Sequence, residues 1–153
     1  MTNGYRRPYE VAVVVHRPGP RGPEYLVLLR SPENQGYWHL VAGGVEWGEE
    51  PAAAAARELA EETGLATPVH ALALDLSYPL ADEPEPLRRR FPTGTERVQV
   101  GWFRAEAPTA WEPSLDDEHV DLRWCTEGAA RELLFWPEPR EAVRVAHAAI
   151  GGS

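Results

Sequence analysis

Hydrophobic and polar residues follow one another along the chain in short runs that predict mainly strands. The residues from Glu10 to His16, EVAVVVH, and from Glu24 to Arg30, EYLVLLR, are rich in β-branched and aliphatic side chains. A Pro- and Gly-rich segment separates these two runs, so they predict a β-hairpin. Three further segments predict strands by alternation or β-branched content, VHALALDLSY (69–78), RVQVGWFRAEA (97–107) and EHVDLRW (118–124).

The segment PAAAAARELAEETG, residues 51–64, has the clearest helical pattern. Alanine has the highest helix propensity, Pro51 suits the first helical position, and Gly64 suits the C-terminal cap. Shorter helices are predicted for 127–134 and from about 139 to 150, the latter with Val143, Ala146 and Ile150 on one face.

The remaining segments predict loops around these elements. SPENQGYW (31–38) is expected to be a loop, and WHLVAGGVEWGEE (38–50) a brief strand followed by a glycine-containing loop. Residues 80–96 are rich in proline and charge, and so long a loop is expected to border a site. Strands along the chain with helices in the middle and at the end predict an α/β (α+β) sandwich, formed as one domain by residues 1–153.

Composition excludes several classes of protein. The chain has 153 residues, of which 43% are hydrophobic, and no apolar run approaches the length of about 18 residues that a membrane span needs. The N-terminus lacks the apolar middle of a secretory signal, and Cys125 is the single cysteine, so we expect a cytoplasmic protein without internal disulfides. The net charge of −9 argues against binding of a nucleic acid polymer, although bound metal ions would still allow a small phosphorylated ligand.

The predicted helix 51–64 ends in an unusual concentration of acid. Glu58, Glu61 and Glu62 share one face at the C-terminal end, where the helix dipole favours cations and like charges repel. Three explanations are open from the residues. The face is solvated and forms ion pairs such as Arg57 with Glu61, or it binds a cation such as Mg²⁺ through hard oxygen ligands, or it attracts a basic protein partner.

The spacing of residues decides between these explanations. From Gly43 the chain has a fixed spacing: Gly43, five residues, Glu49, seven residues, Arg57-Glu58-Leu59, one residue, Glu61-Glu62, one residue and Gly64-Leu65. This spacing resembles the Nudix hydrolase signature at every specified position. The resemblance implies a loop-helix-loop on an α/β/α sandwich with a mixed sheet, and hydrolysis of a nucleoside diphosphate linked to another group.

The resemblance also implies roles for individual residues. Glu58, Glu61 and Glu62 are expected to hold Mg²⁺, with Mn²⁺ as a substitute, and Arg57 is expected to pair with Glu49 and orient the catalytic face. Catalysis further needs a base for the attacking water, for which Glu61, Glu62 and Glu118 are candidates.

Glu118 is expected to be a metal ligand or a base outside the helix. It stands in DDEHVDLRW, which is similar to a glutamate-histidine pair in the dihydroneopterin triphosphate pyrophosphatases, a closer subgroup. Carried over from that subgroup by position, Arg6, Arg30 and Ala42 would contact substrate. The alternatives are a solvated loop acid for Glu118 and ordinary strand-end residues for the other three; His119 is expected to be structural.

Two features outside the signature suggest further contacts. The run Arg88-Arg89-Arg90 is the one basic cluster, and it is either a solvated loop or a device that attracts polyphosphate. Phe91 and Trp136 are candidates for stacking on a pterin or purine.

The leading hypothesis is a Mg²⁺-dependent pyrophosphohydrolase of dihydroneopterin triphosphate or a related nucleoside triphosphate. One alternative keeps the chemistry and acts on ADP-ribose, a dinucleoside polyphosphate or an oxidised nucleotide; another is a nucleotide-binding module without catalysis. The expected partner is thus a small nucleotide or pterin triphosphate, with neither nucleic acid nor membrane. Homodimers are frequent in the family that the chain resembles, but no interface pattern is legible in the sequence.

Overall fold

Eight strands form one mixed sheet in the computed structural model, which describes residues 4–151. The strands are β1 Tyr9–Arg17, β2 Glu24–Arg30, β3 Trp38–His39, β4 Val41–Gly44, β5 His70–Ala71, β6 Ser77–Pro79, β7 Arg97–Glu106 and β8 His119–Cys125. The α-helices are α1 Pro51–Thr63, α2 Glu85–Arg88, α3 Glu127–Leu133 and α4 Pro137–Ala149, and single 3₁₀ turns cover Pro32–Asn34 and Leu80–Asp82.

Strand β1 is the centre of the sheet. It runs parallel to β7 along its whole length, and β4 pairs antiparallel with its first half. The predicted hairpin of β1 and β2 is confirmed, but these strands pair at only two positions, His16 with Tyr25 and Arg17 with Glu24. Strand β2 pairs along most of its length with β8, and β3 and β4 fill the space where β1 and β2 diverge.

The core lies in two layers on either face of β1. Val11, Val13 and Val15 pack against α1, whereas Ala12 and Val14 pack against α3 and α4. All five side chains are buried, because helices cover both faces of the strand. The predicted α/β sandwich with helices on both sides of a mixed sheet is thus confirmed.

Helix α1 forms as the sequence predicts. Pro51 occupies its first position, and Gly64 ends it with φ of 82°, a left-handed conformation in which glycine has no steric penalty. Ala54 and Ala55 are fully buried, so their small side chains let the helix approach the sheet closely. The helix therefore lies close to strand β4, which contains Gly43.

The strand predicted for residues 69–78 was wrong in its middle. Only His70–Ala71 and Ser77–Pro79 pair with β7. Leu72, Leu74 and Leu76 still pack against the layer of α3 and α4, so the alternation reflects burial without strand pairing. The predicted loop 80–96 contains the short helix α2 and has its own cluster of Leu80 and Phe91 with Val98 of β7.

The C-terminal helices are confirmed, with α4 beginning two residues earlier than predicted. Val143 and Ala146 are buried on one face of α4, and Ile150 packs beside them after the helix has ended. Among residues 4–151, no helix is long and apolar enough to cross a membrane.

Candidate active site

Arg57 of α1 fixes the acidic helix face to the preceding loop. Its guanidinium donates to both carboxylate oxygens of Glu49, at 3.0 Å and 2.9 Å, and to the carbonyl oxygen of Gly44 at 2.9 Å. The hydrogen bonds from Arg57 lower the pKa of Glu49 to about 2. The predicted pairing of these two residues is therefore present as a two-pronged contact, which has more geometric specificity than a single ion pair.

Glu58 and Glu62 form a carboxyl pair one helical turn apart on α1. Burial raises the pKa of Glu62 far above its ordinary value, and the adjoining Glu58 carboxyl raises it further. Burial also raises the pKa of Glu58, although Glu62 and Arg57 oppose that shift. Two such carboxyls share a proton readily or accept a cation in its place.

Gly43 makes room for this pair. A methyl group at Gly43 would overlap the carboxyl group of Glu58, so this carboxyl can keep its place only if residue 43 has no side chain. The backbone N–H of the neighbouring Ala42 lies 3.4 Å from Oε1 of Glu62. The glycine in the signature thus has a steric cause in this chain.

Glu62 lies almost wholly inside the protein, with 1% of its surface exposed. Its Oε1 atom is 3.7 Å from Nε2 of His119, whose Nδ1 is 2.8 Å from Oδ1 of Asp116. The other carboxyl oxygen of Glu62, Oε2, has no hydrogen-bond partner within the described chain. A buried carboxyl oxygen without a partner is costly, which makes this atom a natural ligand for a cation.

The two remaining predicted acids are more exposed than the pair. Glu61 is largely exposed, and its carboxylate is 3.5 Å from Arg57. Glu118 is exposed where β2 and β8 meet, and its backbone carbonyl accepts a hydrogen bond from Ser31. Within residues 4–151, no three His, Cys, Asp or Glu side chains are already gathered as a metal-binding group. The structure therefore brings together Glu58 and Glu62 but not all four predicted ligands.

A cavity of about 540 Å³ opens beside the carboxyl pair. Its wall contains nine residues that the sequence singles out, namely Arg6, Arg30, Ala42, Gly43, Glu58, Arg90, Phe91, Glu118 and Trp136. Glu58 is thus the member of the carboxyl pair that reaches the cavity, whereas Arg57, Glu61 and Glu62 lie outside its wall.

The two predicted substrate-binding arginines are already oriented by neighbours. Arg6 donates to Glu10 at 2.9 Å, and its guanidinium lies 5.5 Å from the centre of the Phe91 ring. Arg30 donates to the carbonyl of Asn34 at 2.9 Å and lies 5.3 Å from the centre of the Tyr37 ring. Each therefore keeps further N–H groups with which it could bind an anion.

Sequence reasoning missed several residues of the cavity wall. Glu10 and Tyr78 face each other there, with the tyrosine hydroxyl donating to the carboxylate at 2.8 Å, and Tyr37 and His39 line the opposite part. Burial raises the pKa of Glu10, whereas burial and then Arg30 lower the pKa of His39 to about 3. A charged residue next to a fully apolar strand was the one available signal for Glu10, because such residues are seldom buried unpaired.

The basic run in the loop is divided between two environments. Arg88 donates to the carbonyl of Glu83, and Arg89 pairs with Glu85 on the surface. Arg90 lines the cavity, and its carbonyl accepts a hydrogen bond from the N–H of Arg6. The solvated-loop explanation therefore suits Arg88 and Arg89, and Arg90 is the member that could meet a ligand.

Comparison with known proteins shows which family the chain is similar to. A family model, the NUDIX domain, matches residues 6–145. An octanoyltransferase of Myxococcus xanthus is 38% identical over 134 residues, 84% of this chain and 34% of that protein. An 8-oxo-(d)GTP phosphatase of Mycolicibacterium smegmatis is 31% identical over 143 residues, 94% of this chain and 35% of that protein. The chain spans about a third of the length of these two relatives.

A third relative matches along its whole length. The dihydroneopterin triphosphate diphosphatase of Escherichia coli K12 is 28% identical over 141 residues, 91% of each chain. The solved structure of the E. coli dihydroneopterin triphosphate pyrophosphohydrolase has a TM-score of 0.77 at 26% identity, and covers 94% of this chain and 98% of that one.

Proposed function

The chain belongs to the NUDIX domain family, and on that premise we propose that it is a Mg²⁺-dependent pyrophosphohydrolase. Its substrate is a nucleoside triphosphate or dihydroneopterin triphosphate. Water attacks the α-phosphorus, the α–β anhydride bond breaks, and the products are the monophosphate and pyrophosphate. The resemblance of the complete signature to that of the family supports hydrolysis over simple binding of a nucleotide.

One arrangement carries this proposal. The buried carboxyl pair of Glu58 and Glu62 adjoins a cavity that also contains Arg6 and Arg30. Acidic ligands for a cation and basic donors for phosphate oxygens thus lie in one place, which is what a polyphosphate with its bound cation requires.

The residues present suit a divalent cation. Mg²⁺ prefers oxygen ligands and is commonly bound through one or two carboxylates together with substrate phosphates. Glu58 and Glu62 would supply these ligands, the latter through its unpartnered Oε2 atom, with Glu61 and Glu118 as outer ligands. Bound there, the ion would neutralise charge on the phosphate oxygens of the substrate.

The other side chains of the cavity bind the substrate, position a carboxyl group or accept a proton. Arg6 and Arg30 bind and orient the phosphates through N–H groups that their present partners leave available. The N–H of Ala42 is directed at Glu62, so Ala42 positions that carboxyl and offers the substrate only its small surface. Glu118, exposed on the cavity wall, or a glutamate of α1 accepts the proton of the attacking water.

A second candidate keeps the same chemistry with an oxidised nucleotide as substrate. The relative in M. smegmatis is called an 8-oxo-(d)GTP phosphatase and is 31% identical over nearly the whole of this chain. ADP-ribose and dinucleoside polyphosphates are further alternatives, and a nucleotide-binding module without turnover is the alternative from another class.

A substrate panel tests the proposal. The purified chain is incubated in Mg²⁺ with dihydroneopterin triphosphate, the common nucleoside triphosphates, 8-oxo-dGTP, ADP-ribose and a dinucleoside polyphosphate, and pyrophosphate and phosphate are both quantified. We expect pyrophosphate release from a triphosphate and its loss in Glu62→Gln. Tight binding of ligands without turnover in Mg²⁺ or Mn²⁺ would overturn the proposal, and unchanged turnover of Glu62→Gln would remove the role of that residue.

A further inference from the structure

We propose that Glu10 selects the substrate by its heterocycle. Its carboxylate would accept two adjacent N–H groups, the ring N–H and the amino group, from the 2-aminopyrimidinone ring that guanine and pterin share. This inference rests on the proposed function and deepens it, because it assigns the choice of base to a residue outside the signature.

Glu10 is close to the reacting end of the cavity but on another face of the sheet. It pairs with Gly44 across β1 and β4, one position from the pairing of Val11 with Gly43. Gly43 faces Glu58 of α1, whereas Gly44 faces the guanidinium of Arg6. Glu58 and Glu10 thus line the same cavity, so a ligand whose phosphates lie at Glu58 can place its heterocycle at Glu10.

The Glu10 carboxylate is held in one orientation. Oε2 accepts from Arg6 at 2.9 Å, and Oε1 accepts from the hydroxyl of Tyr78 at 2.8 Å. Each carboxylate oxygen can accept a second hydrogen bond, and an ionised carboxylate is an acceptor only. With 21% of its side chain exposed, Glu10 is accessible from the cavity, where Arg30 and Glu83 are the other charged groups that face it.

Aromatic side chains supply an apolar wall to the cavity that Glu10 faces. Tyr78, Phe91, Trp102 and Trp136 all line the cavity that Glu10 faces. Phe91 and Trp102 are 4% exposed each, and the indole N–H of Trp102 donates to the carbonyl of Leu76, so these rings are fixed. Ligand sites commonly combine such an apolar wall with a few placed polar groups that set specificity.

The hydrogen-bonding edges of the common bases separate into two groups at such a carboxylate. Guanine and pterin present a ring N–H beside an amino group, two donors that match two acceptor oxygens. Adenine and cytosine present an amino donor beside a ring nitrogen that is an acceptor, and this nitrogen would be repelled by a carboxylate oxygen. Uracil presents one N–H donor between two carbonyl oxygens, which the carboxylate would also repel. A site with a buried hydrogen-bonding group rejects ligands that leave the group unpaired.

The test measures binding of the base without turnover. Quenching of tryptophan fluorescence gives the affinities of GMP, neopterin monophosphate, AMP, CMP and UMP, without metal, for the wild type, Glu10→Gln and Glu33→Gln. The glutamine keeps an acceptor for Arg6 or Tyr78 but presents an N–H group to the ligand. Glu33 is an exposed acid at the rim of the same cavity. Glu33→Gln therefore removes the same charge as Glu10→Gln but leaves the contacts of Glu10 with Arg6 and Tyr78 unchanged.

We expect the wild type and Glu33→Gln to bind GMP and neopterin monophosphate more tightly than the other three ligands. In Glu10→Gln this preference should fall by roughly tenfold to a hundredfold, because a charge-assisted pair of hydrogen bonds is lost. Melting temperatures of the variants check that the fold is retained. An unchanged preference in Glu10→Gln, or no preference in the wild type, would overturn the inference.

Failure of the inference and failure of the proposed function give different results. If the wild type releases pyrophosphate from all triphosphates without regard to base, the function stands and the role of Glu10 is wrong. If the monophosphates bind with the expected preference but no triphosphate is hydrolysed, Glu10 keeps its role and the proposed function is wrong.

Discussion

Oε1 of Glu62 lies 3.7 Å from Nε2 of His119, which joins the acidic face of α1 to the first residue of β8. The other ring nitrogen of His119 lies 2.8 Å from Oδ1 of Asp116, so the imidazole is held between two carboxyl groups. Groups that hold a ligating side chain in this way fix its orientation. We therefore expect His119, which the sequence suggests is structural, to have the task of positioning Glu62.

Replacing His119 with Phe tests that task. We expect metal-dependent turnover to fall by roughly tenfold to a hundredfold, as is typical when the outer partner of a metal ligand is removed. Initial rates over a range of Mg²⁺ concentrations should show that more metal is needed for half-maximal rate. The control is His70→Phe on the exposed short strand β5, which should behave as the wild type. Wild-type rates and metal dependence in His119→Phe would contradict the positioning role.

Replacing Gly43 with Ala should displace the Glu58 carboxyl, because the added methyl group would overlap it. We expect most of the pyrophosphate release to be lost while far-UV circular dichroism stays that of the wild type. Gly128→Ala is the matched control, since a methyl group there meets no atom within 4 Å and lies in helix α3. That control should stabilise the protein by about 0.5–1 kcal/mol. Full activity in Gly43→Ala would show that the position of Glu58 is not restricted.

Replacing Arg57 with Lys keeps the charge but removes the planar pair of hydrogen bonds to Glu49 and the contact to Gly44. We expect chemical unfolding to show a loss of about 1.5–3 kcal/mol, the usual range for hydrogen bonds to charged groups. The loss should be present at neutral pH and shrink as the pH falls from the ordinary glutamate pKa toward about 2, since Glu49 is ionised over that range in the folded wild type. Equal stability of the wild type and Arg57→Lys at pH 7 would contradict this prediction.

The buried side chain of His16 should make the stability of the protein depend on pH independently of Glu49. Burial, followed by Arg104, lowers its pKa to about 4, and only 2% of the residue is exposed. Because the folded-state pKa is below the unfolded value of about 6.5, His16 binds protons mainly in the unfolded chain as the pH falls through this window. The wild type should thus lose about 2 kcal/mol more than His16→Gln between pH 7 and pH 4.5 in urea unfolding. Parallel curves for the two proteins would contradict this.

The sequence predicts those parts of the fold that depend on neighbours along the chain. Helix α1 follows from its alanines, Pro51 and Gly64, all of which act within one or two turns. The positions of Glu58 and Glu62 follow from helical periodicity, which places residues four apart on one face. The strand predicted for residues 69–78 failed because alternation reports burial, and Leu74 packs in the core without strand pairing.

The parts of the site that were missed depend on contacts between distant residues. Glu10 and Tyr78 are 68 residues apart, and nothing in either neighbourhood indicates that the hydroxyl meets the carboxylate. The packing of α1 against the sheet decides the environments of Glu61 and Glu62, whose side chains point about 100° apart around the helix axis. Both belong to one predicted face, yet α1 turns Glu62 into the interior and leaves Glu61 beside Arg57.

Uptake of a divalent cation by the carboxyl pair tests the central claim most directly. Titration calorimetry with Mg²⁺ and Mn²⁺, with and without GMP, should be carried out on the wild type and on the double variant Glu58→Gln/Glu62→Gln. An exposed acid far from the site, in the variant Glu132→Gln on α3, provides the control. The proposed site predicts saturable uptake by the wild type and the control, and its loss in the double variant. Absence of uptake by the wild type under both conditions, or equal uptake by the double variant, would contradict it.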